Sequence, residues 1–295
     1  MRRSDWLSEL SSGEVSLKLE SLQPTGSFKI RGAFNAVLRA VEQRRGSAAP
    51  LVTASAGNHG QALAYAARAV GLPLTVYAPA GAPRVKLDAI RRTGMTLVTC
   101  RDYDEAETRA KEHGATGDAL FISPYAHADV IAGAGTIAFE IIEDEPRTEI
   151  IVVPVGGGGL IAGIAVAAAS SPAPPKVVGV EAEASSPFTH GLLAGHIVPI
   201  DVGPTIADGL AGNLDPETPT FEIVRRLAAE VTVVAENQIE RAILAMAAEE
   251  RLVVEGAGAV GVAAVLAGRM DLRGRRVAIV LSGGNIDPER LRAIM

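Results

Sequence analysis

Cysteine is almost absent. Cys100 is the only one in 295 residues, so an internal disulfide and a cysteine-based metal cluster are both excluded. Such thiol poverty points to a reducing cytoplasm. Aromatic residues are also scarce, at 4%, although 48% of the chain is hydrophobic, which rules out global disorder. There is no Lys/Arg-rich block, and 28 basic residues face 34 acidic ones for a net charge of -6, which speaks against nucleic acid as a partner. Arg2 and Arg3 are not followed by an apolar run, so a secretory signal is not expected. His59, His113, His127, His190 and His196 lack the close paired spacing of a zinc site. The uncharged window Ile150–Ala169 is long enough to cross a bilayer, but Pro154 and Gly156–Gly159 interrupt it. A buried strand, a glycine turn and a buried helix account for it better than a membrane span.

What the chain has is alternation. Short β-branched runs such as Leu51–Ala54, Leu74–Ala78, Thr96–Thr99, Leu120–Ile122, Ile150–Val155, Val177–Val180, Val231–Val234 and Val277–Leu281 read as strands. Between them lie Ala-rich helical stretches: Asn58–Val70, Arg84–Thr93, Tyr103–His113, Val130–Ile142, Leu160–Ala169, Glu236–Glu250 and Ala257–Leu266. This pattern predicts an α/β fold of parallel sheets covered by helices, with ligands at the carboxyl ends of the strands. Three unusual loops fall at such ends: Ser55-Ala56-Gly57-Asn58-His59, Gly156–Gly159 and Ser282-Gly283-Gly284-Asn285. They suggest one shared site. Ser55 and His59 could hint at a hydrolase, but no nucleophile elbow surrounds Ser55.

The glycine run has three readings. It could be a tight turn packed in the core. It could be a dinucleotide fingerprint, since Gly157-x-Gly159-x-x-Ala162 is followed by Glu181 at a suitable distance. Or it could be a phosphate cup, in which four glycines let the backbone approach an anion at a helix N-terminus. Taken alone, the run leaves these open.

The stretch Pro24-Thr25-Gly26-Ser27-Phe28-Lys29-Ile30-Arg31-Gly32-Ala33 is the most informative, although an isolated lysine in it would read as a solvated surface charge. Gly26 and Ser27 read as a turn and cap, with Lys29 at a helix entrance. Together with Ser55–His59, Gly156–Gly159, Asp208-Gly209, Glu255 and Ser282–Asn285, in that order, this stretch resembles the fold type II pyridoxal-phosphate enzymes. The match is to their serine/threonine dehydratase and serine racemase branch, and it covers nearly the whole chain. The resemblance implies a two-lobed, tryptophan synthase β-like fold and a pyridoxal 5'-phosphate cofactor. It implies that Lys29 bonds covalently to the cofactor aldehyde and that Phe28 lies against its ring. Gly156, Gly157, Gly158, Gly159 and Leu160 would give N–H groups to its phosphate. Asn58 would bond the ring hydroxyl, Ser282 would face the pyridine nitrogen, and Glu255 would stand near the ring. Ser55, Ala56, Gly57 and His59 would take the substrate carboxylate, with Gly209 beside the substrate. The lysine must be neutral to act as nucleophile and base, which burial favours.

The activity so implied is an L-threonine/L-serine ammonia-lyase, a carbon–nitrogen lyase that removes water and releases a 2-oxo acid and ammonia. The alternatives are a dehydratase of another β-hydroxy amino acid such as threo-3-hydroxyaspartate, a serine racemase, or a non-catalytic pyridoxal-phosphate binder. Racemases of the family carry a serine before the Gly-Asn-His as a second base; here that position is Ala56. Tyr125, where racemases often have Asn, is also dehydratase-like. Some members bind a divalent metal near the position of Glu181 and Ser185. The third position is Pro187 here, which offers no side-chain oxygen, so no metal ligand is assigned. Gly133-Ala134-Gly135 replaces the family's Gly-Gln-Gly, and nothing explains the change.

The lobes are expected at 1–49 with 127–295, holding the cofactor's phosphate and ring, and at 50–126, holding the carboxylate loop. The cofactor would lie between them. A cytoplasmic homodimer is expected, with small amino acids as partners and neither nucleic acid nor membrane. A regulatory domain after Ser282 has no room, and the start at Met1 reads as shorter than the family's usual lead-in.

Overall fold

A computed structural model describes residues 1–43, 49–82 and 84–295. Its strands are β1 (Arg2–Arg3), β2 (Glu14–Lys18), β3 (Leu51–Ala54), β4 (Leu74–Pro79), β5 (Thr96–Cys100), β6 (Leu120–Phe121), β7 (Ile150–Pro154), β8 (Lys176–Ala182), β9 (Glu230–Val234) and β10 (Arg276–Val280). The helices are α1 (Asp5–Ser11), α2 (Lys29–Gln43), α3 (Asn58–Val70), α4 (Arg84–Arg91), α5 (Tyr103–Ala115), α6 (Ala128–Asp144), α7 (Gly159–Ala169), α8 (Pro187–Ala194), α9 (Thr220–Leu227), α10 (Glu236–Glu249), α11 (Gly256–Leu266) and α12 (Pro288–Ile294).

They form two compact units, Met1–Ser27 with Gly135–Met295, and Phe28–Ala134. The larger unit holds a six-stranded sheet in the order β1-β2-β10-β7-β8-β9. Its pairings are parallel apart from β1 with β2. The helix α11 crosses this sheet and is buried from Gly256 to Val265. A helix apolar on every side has no solvent face to present, so it sits in the core. There Val260 and Ala263 share a cluster with Val15, Leu17, Val152, Ile279, Ile243 and Met246. The uncharged window 150–169 resolves into β7, the glycine run and α7. No helix among the described residues is long and apolar enough to cross a membrane.

The smaller unit holds a four-stranded parallel sheet in the order β5-β4-β3-β6. Alternate residues of β3 enter different clusters, as the strand's two-residue period requires. Leu51 packs with Leu63 and Val37 from α3 and α2. Val52 and Ala54 pack with Ala106 and Ala110 from α5 on the other face. Each fully buried leucine or isoleucine here stabilises the fold by about 2 kcal/mol.

The division of the chain differs from the expected cut at 49/50 and 126/127. The helix α2 belongs with Phe28–Ala134 because Ala33, Ala36 and Val37 pack on Ala62, Leu63 and Ala66 of α3. The start of α6 follows it. A Cβ at Gly133 would stand 2.6 Å from the carbonyl oxygen of Arg31, so the two helices approach backbone to backbone.

Candidate active site

In the smaller unit, β3 and β6 are parallel neighbours, so the loops that leave them emerge at the same edge. One loop is Ser55–Gly57, leading into α3, and the other carries Pro124 and Tyr125 into α6. Lys29 is the first residue of α2, and its Nζ donates to the carbonyl oxygen of Pro124 at 2.7 Å. The same Nζ lies 5.1 Å from the centre of the Phe28 ring, within range of a cation–π contact. The helix α3 begins at Asn58 after Gly57 with no side-chain cap. The first turn of a helix offers its amides outward, and an end that no side chain caps suits an anion. Ser55 Oγ accepts from the Gly57 N–H at 3.2 Å, which shapes the turn.

His59 is buried beneath this loop. Its Nε2 donates to the carbonyl oxygen of Ile122 at 3.3 Å, since a carbonyl can only accept. Nδ1 is therefore a bare acceptor, and it has no hydrogen-bond partner among the described residues. Burial, and next the charge of Lys29, push the pKa of His59 down from 6.5 to about 3. The imidazole is thus neutral at physiological pH and is a weak base. The sign follows from linkage: the unfolded chain takes up a proton below 6.5 and the folded one does not, so this group's stabilisation is full above 6.5 and is lost as pH falls toward about 3. Its imidazole nitrogen shifts should stay at their neutral values from pH 8 to 5; a titration centred near 6.5 would contradict this environment. His127, whose Nδ1 accepts from the Asp129 N–H at 3.2 Å, is also held below the usual histidine range by burial.

In the larger unit, β7 and β10 are adjacent and parallel, so Gly156–Gly159 and Ser282 leave the sheet at one edge. The turn Asp208–Leu210, which carries Gly209, packs against the glycine run; a Cβ at Gly156 would stand 2.8 Å from Leu210 Cα. Glu255 precedes α11 and is buried, and its N–H donates to the Gly283 carbonyl at 3.1 Å. Ser282 is buried too, with its hydroxyl at the limit of hydrogen-bond length, 3.5 Å, from the Ala257 carbonyl. Thr25–Ser27 is tied to this loop by Gly284 N–H to the Gly26 carbonyl and by Asn285 Nδ2 to the Thr25 carbonyl, both at 2.9 Å.

Gly158 has φ +83° and ψ -3° and precedes α7, which no side chain caps. With ψ near zero, the nitrogens of Gly158 and Gly159 are eclipsed, and their N–H bonds lean to one side. That is an anion nest at a helix N-terminus. A phosphate therefore fits the residues present here.

Glu181 is the last residue but one of β8 and is buried. Its carboxylate accepts from the N–H groups of Phe188 and Thr189, both at 2.8 Å, and from Thr189 Oγ1 at 2.7 Å. Burial pushes its pKa up to about 6 against those three bonds. Ser185 is engaged with Gly212.

Each unit thus gathers its own share of the residues singled out in the sequence: Phe28, Lys29 and Ser55–His59 in one, Gly156–Leu160, Gly209, Glu255 and Ser282 in the other. Sequence reading missed Thr218, Thr220 and Phe188, which support the glycine run from behind. Thr220 is 63 positions from Gly157, and no local spacing marks it.

Comparison with known proteins gives a consistent result. The sequence model described as "Pyridoxal-phosphate dependent enzyme" matches residues 1–283. An L-threonine ammonia-lyase of Thermotoga maritima is 44% identical over 293 residues, 99% of this chain and 72% of that protein. The processed threonine deaminase isoform 2 of Solanum lycopersicum superposes with TM-score 0.92 at 32% identity, covering 100% of this chain and 81% of that one. The serine racemase of Dictyostelium discoideum gives TM-score 0.88 at 34% identity, with coverage of 97% and 92%.

Proposed function

The chain belongs to the pyridoxal-phosphate dependent enzymes, and from that premise we propose that it is an L-threonine ammonia-lyase that also accepts L-serine. The observation that carries the lyase reading over a racemase is the lack of a base at position 56, directly before Gly57-Asn58-His59. Ala56 has no ionisable group, and His59 is held at a pKa of about 3. A racemase must deliver a proton to the face opposite the one it was taken from. Here Lys29 works alone.

The cofactor, when bound, supplies the carbonyl that captures the substrate nitrogen and the ring that spreads the charge left by the α-proton. Lys29 Nζ holds the cofactor between turnovers, then takes the α-proton of the substrate as general base. Pro124, through its carbonyl, orients that amine. The amides at the start of α3, with Ser55, Ala56, Gly57 and His59, receive the substrate carboxylate, and Gly209 leaves room beside the substrate. Asn58 donates to the ring hydroxyl, and Phe28 packs on the ring. The N–H groups of Gly156–Gly159 and Leu160 hold the phosphate, and Glu255 stands by the ring. Ser282 donates a neutral hydrogen bond to the pyridine nitrogen. Unlike a carboxylate, it does not keep that nitrogen protonated, so electron withdrawal is limited and elimination is favoured over transamination.

Two features support the wider setting. The single cysteine is reduced and buried, as suits the cytoplasm. Phe139 on α6 and Val166 on α7 are about half exposed, and a Cβ at Gly135 would stand 2.8 Å from the Gly163 carbonyl, so the two helices are packed together. This apolar surface suits a second copy in a homodimer.

The test is release of 2-oxo acid by the purified protein with added pyridoxal phosphate. L-threonine, L-serine and threo-3-hydroxyaspartate are offered in parallel, and D-serine is assayed in the serine reaction. Release from threonine and serine without D-serine is the expected result. Accumulation of D-serine faster than pyruvate would establish a racemase, and activity on 3-hydroxyaspartate alone would move the substrate class.

A further inference from the structure

We propose that Thr220, backed by Thr218, is a positioning residue that aims the Gly158 N–H into the phosphate cup. The proposal rests on the phosphate role given above to Gly156–Gly159. Thr220 is fully buried at the start of α9, and Thr218 is buried beside it. Thr220 Oγ1 donates to the carbonyl oxygen of Gly157 at 2.9 Å. A hydroxyl has one proton, so the 2.9 Å contact between Thr218 Oγ1 and Thr220 Oγ1 is a donation from Thr218. The two threonines form a one-way relay that ends on the glycine run.

The consequence follows from peptide geometry. The Gly157 carbonyl and the Gly158 N–H belong to one planar trans peptide, so they point in opposite directions. Drawing the oxygen toward Thr220 drives the N–H away from α9. A glycine-rich segment has no side chain to make this choice and would otherwise sample both orientations. Packing completes the support. The position of a Gly158 Cβ lies 2.9 Å from Thr220 Cβ and 2.4 Å from Phe188 Cζ. Phe188 in turn stacks on Phe221, with ring centres 6.1 Å apart. Phe188 is itself held where its N–H meets Glu181. Anion affinity at this loop thus depends on side chains that never touch the ligand.

The experiment compares wild type, Thr220→Val and Thr220→Ser by equilibrium titration with pyridoxal phosphate and with pyridoxal, which lacks the phosphate. Valine keeps the shape and removes the proton that the partly buried Gly157 carbonyl accepts. About a tenfold loss of pyridoxal phosphate affinity is expected, the order that loss of one hydrogen bond produces. Pyridoxal affinity should change less than about twofold, and serine should restore the wild-type value, because the hydroxyl and not the methyl is required. Unchanged pyridoxal phosphate affinity in the valine variant would overturn the proposal. So would an equal loss for both ligands, or a serine variant as weak as valine. If the valine variant does not fold, Thr218→Val removes the upstream donor alone and should weaken only the phosphorylated ligand, by about threefold; no change there would overturn the relay. A wild-type protein that binds pyridoxal as tightly as its phosphate would instead refute the phosphate role of the glycine run.

Discussion

Replacing Lys29 with alanine should lower turnover of threonine by about four orders of magnitude or more, since both the covalent anchor and the general base are lost. The fold should survive. Lys29 sits at the first position of α2 and is only half buried, and its hydrogen bond to the Pro124 carbonyl is worth about 1 kcal/mol. Circular dichroism should therefore match wild type. After borohydride reduction, wild-type protein should carry the mass of one cofactor on the peptide containing Lys29, and the variant should carry none. Lys29→Arg should be as inactive as alanine. Arginine keeps the charge but cannot lose its proton, so it can neither attack an aldehyde nor accept the α-proton. A Lys29→Ala protein that kept even a hundredth of the wild-type rate would remove Lys29 from the centre of the reaction.

Gly158→Ala is the second large effect, and it separates the loop's geometry from its chemistry. At φ +83° an alanine suffers about 1–2 kcal/mol of backbone strain. Its Cβ would stand 2.4 Å from Phe188 Cζ, and Phe188 is fully buried and cannot swing out. Overpacking of that kind costs a further 1–3 kcal/mol or so. For a unit of this size the sum lowers the melting temperature by about 10 °C. Pyridoxal phosphate affinity should fall at the same time, because any relief of the clash moves the Gly158 and Gly159 amides. Adding Phe188→Leu should recover part of the melting temperature, since the ring edge is removed, but not the strain at φ. A Gly158→Ala protein that melts within about 2 °C of wild type would mean that the loop bends readily, and the rigid nest would have to be given up.

Much of this was legible along the chain because its signals are local. The β-branched run at Ile150, the glycines after it and the apolar helix beyond announce strand, turn and helix without outside help, and β7 and α7 take those places. Lys29 stands out by the company of Ser27 and Phe28, and α2 begins at it. Other elements carry no such mark. The strand β2, Glu-Val-Ser-Leu-Lys, is short and mixed, and it becomes a strand because β10 lies beside it in register. Polar residues at its ends are tolerated where the sheet supplies the hydrogen bonds. The helix α2 reads as a neighbour of the residues before it, yet its small residues fit the Ala-rich face of α3.

Composition and periodicity, which depend only on neighbours in the chain, determined the α/β class and the positions of most strands and helices, and the ordered motifs that resemble a known family singled out the residues with chemical potential. Tertiary structure decided what those residues can do. It set β7 beside β10, so that Ser282 and the glycine run emerge at one edge. It buried His59 until its imidazole cannot be protonated near neutral pH. It turned Glu181 onto the amides of α8. It brought Thr220 across 63 positions to the carbonyl of Gly157. Burial, electrostatic field and hydrogen-bond direction are properties of what surrounds an atom, and those surroundings come from distant parts of the chain that only folding brings together.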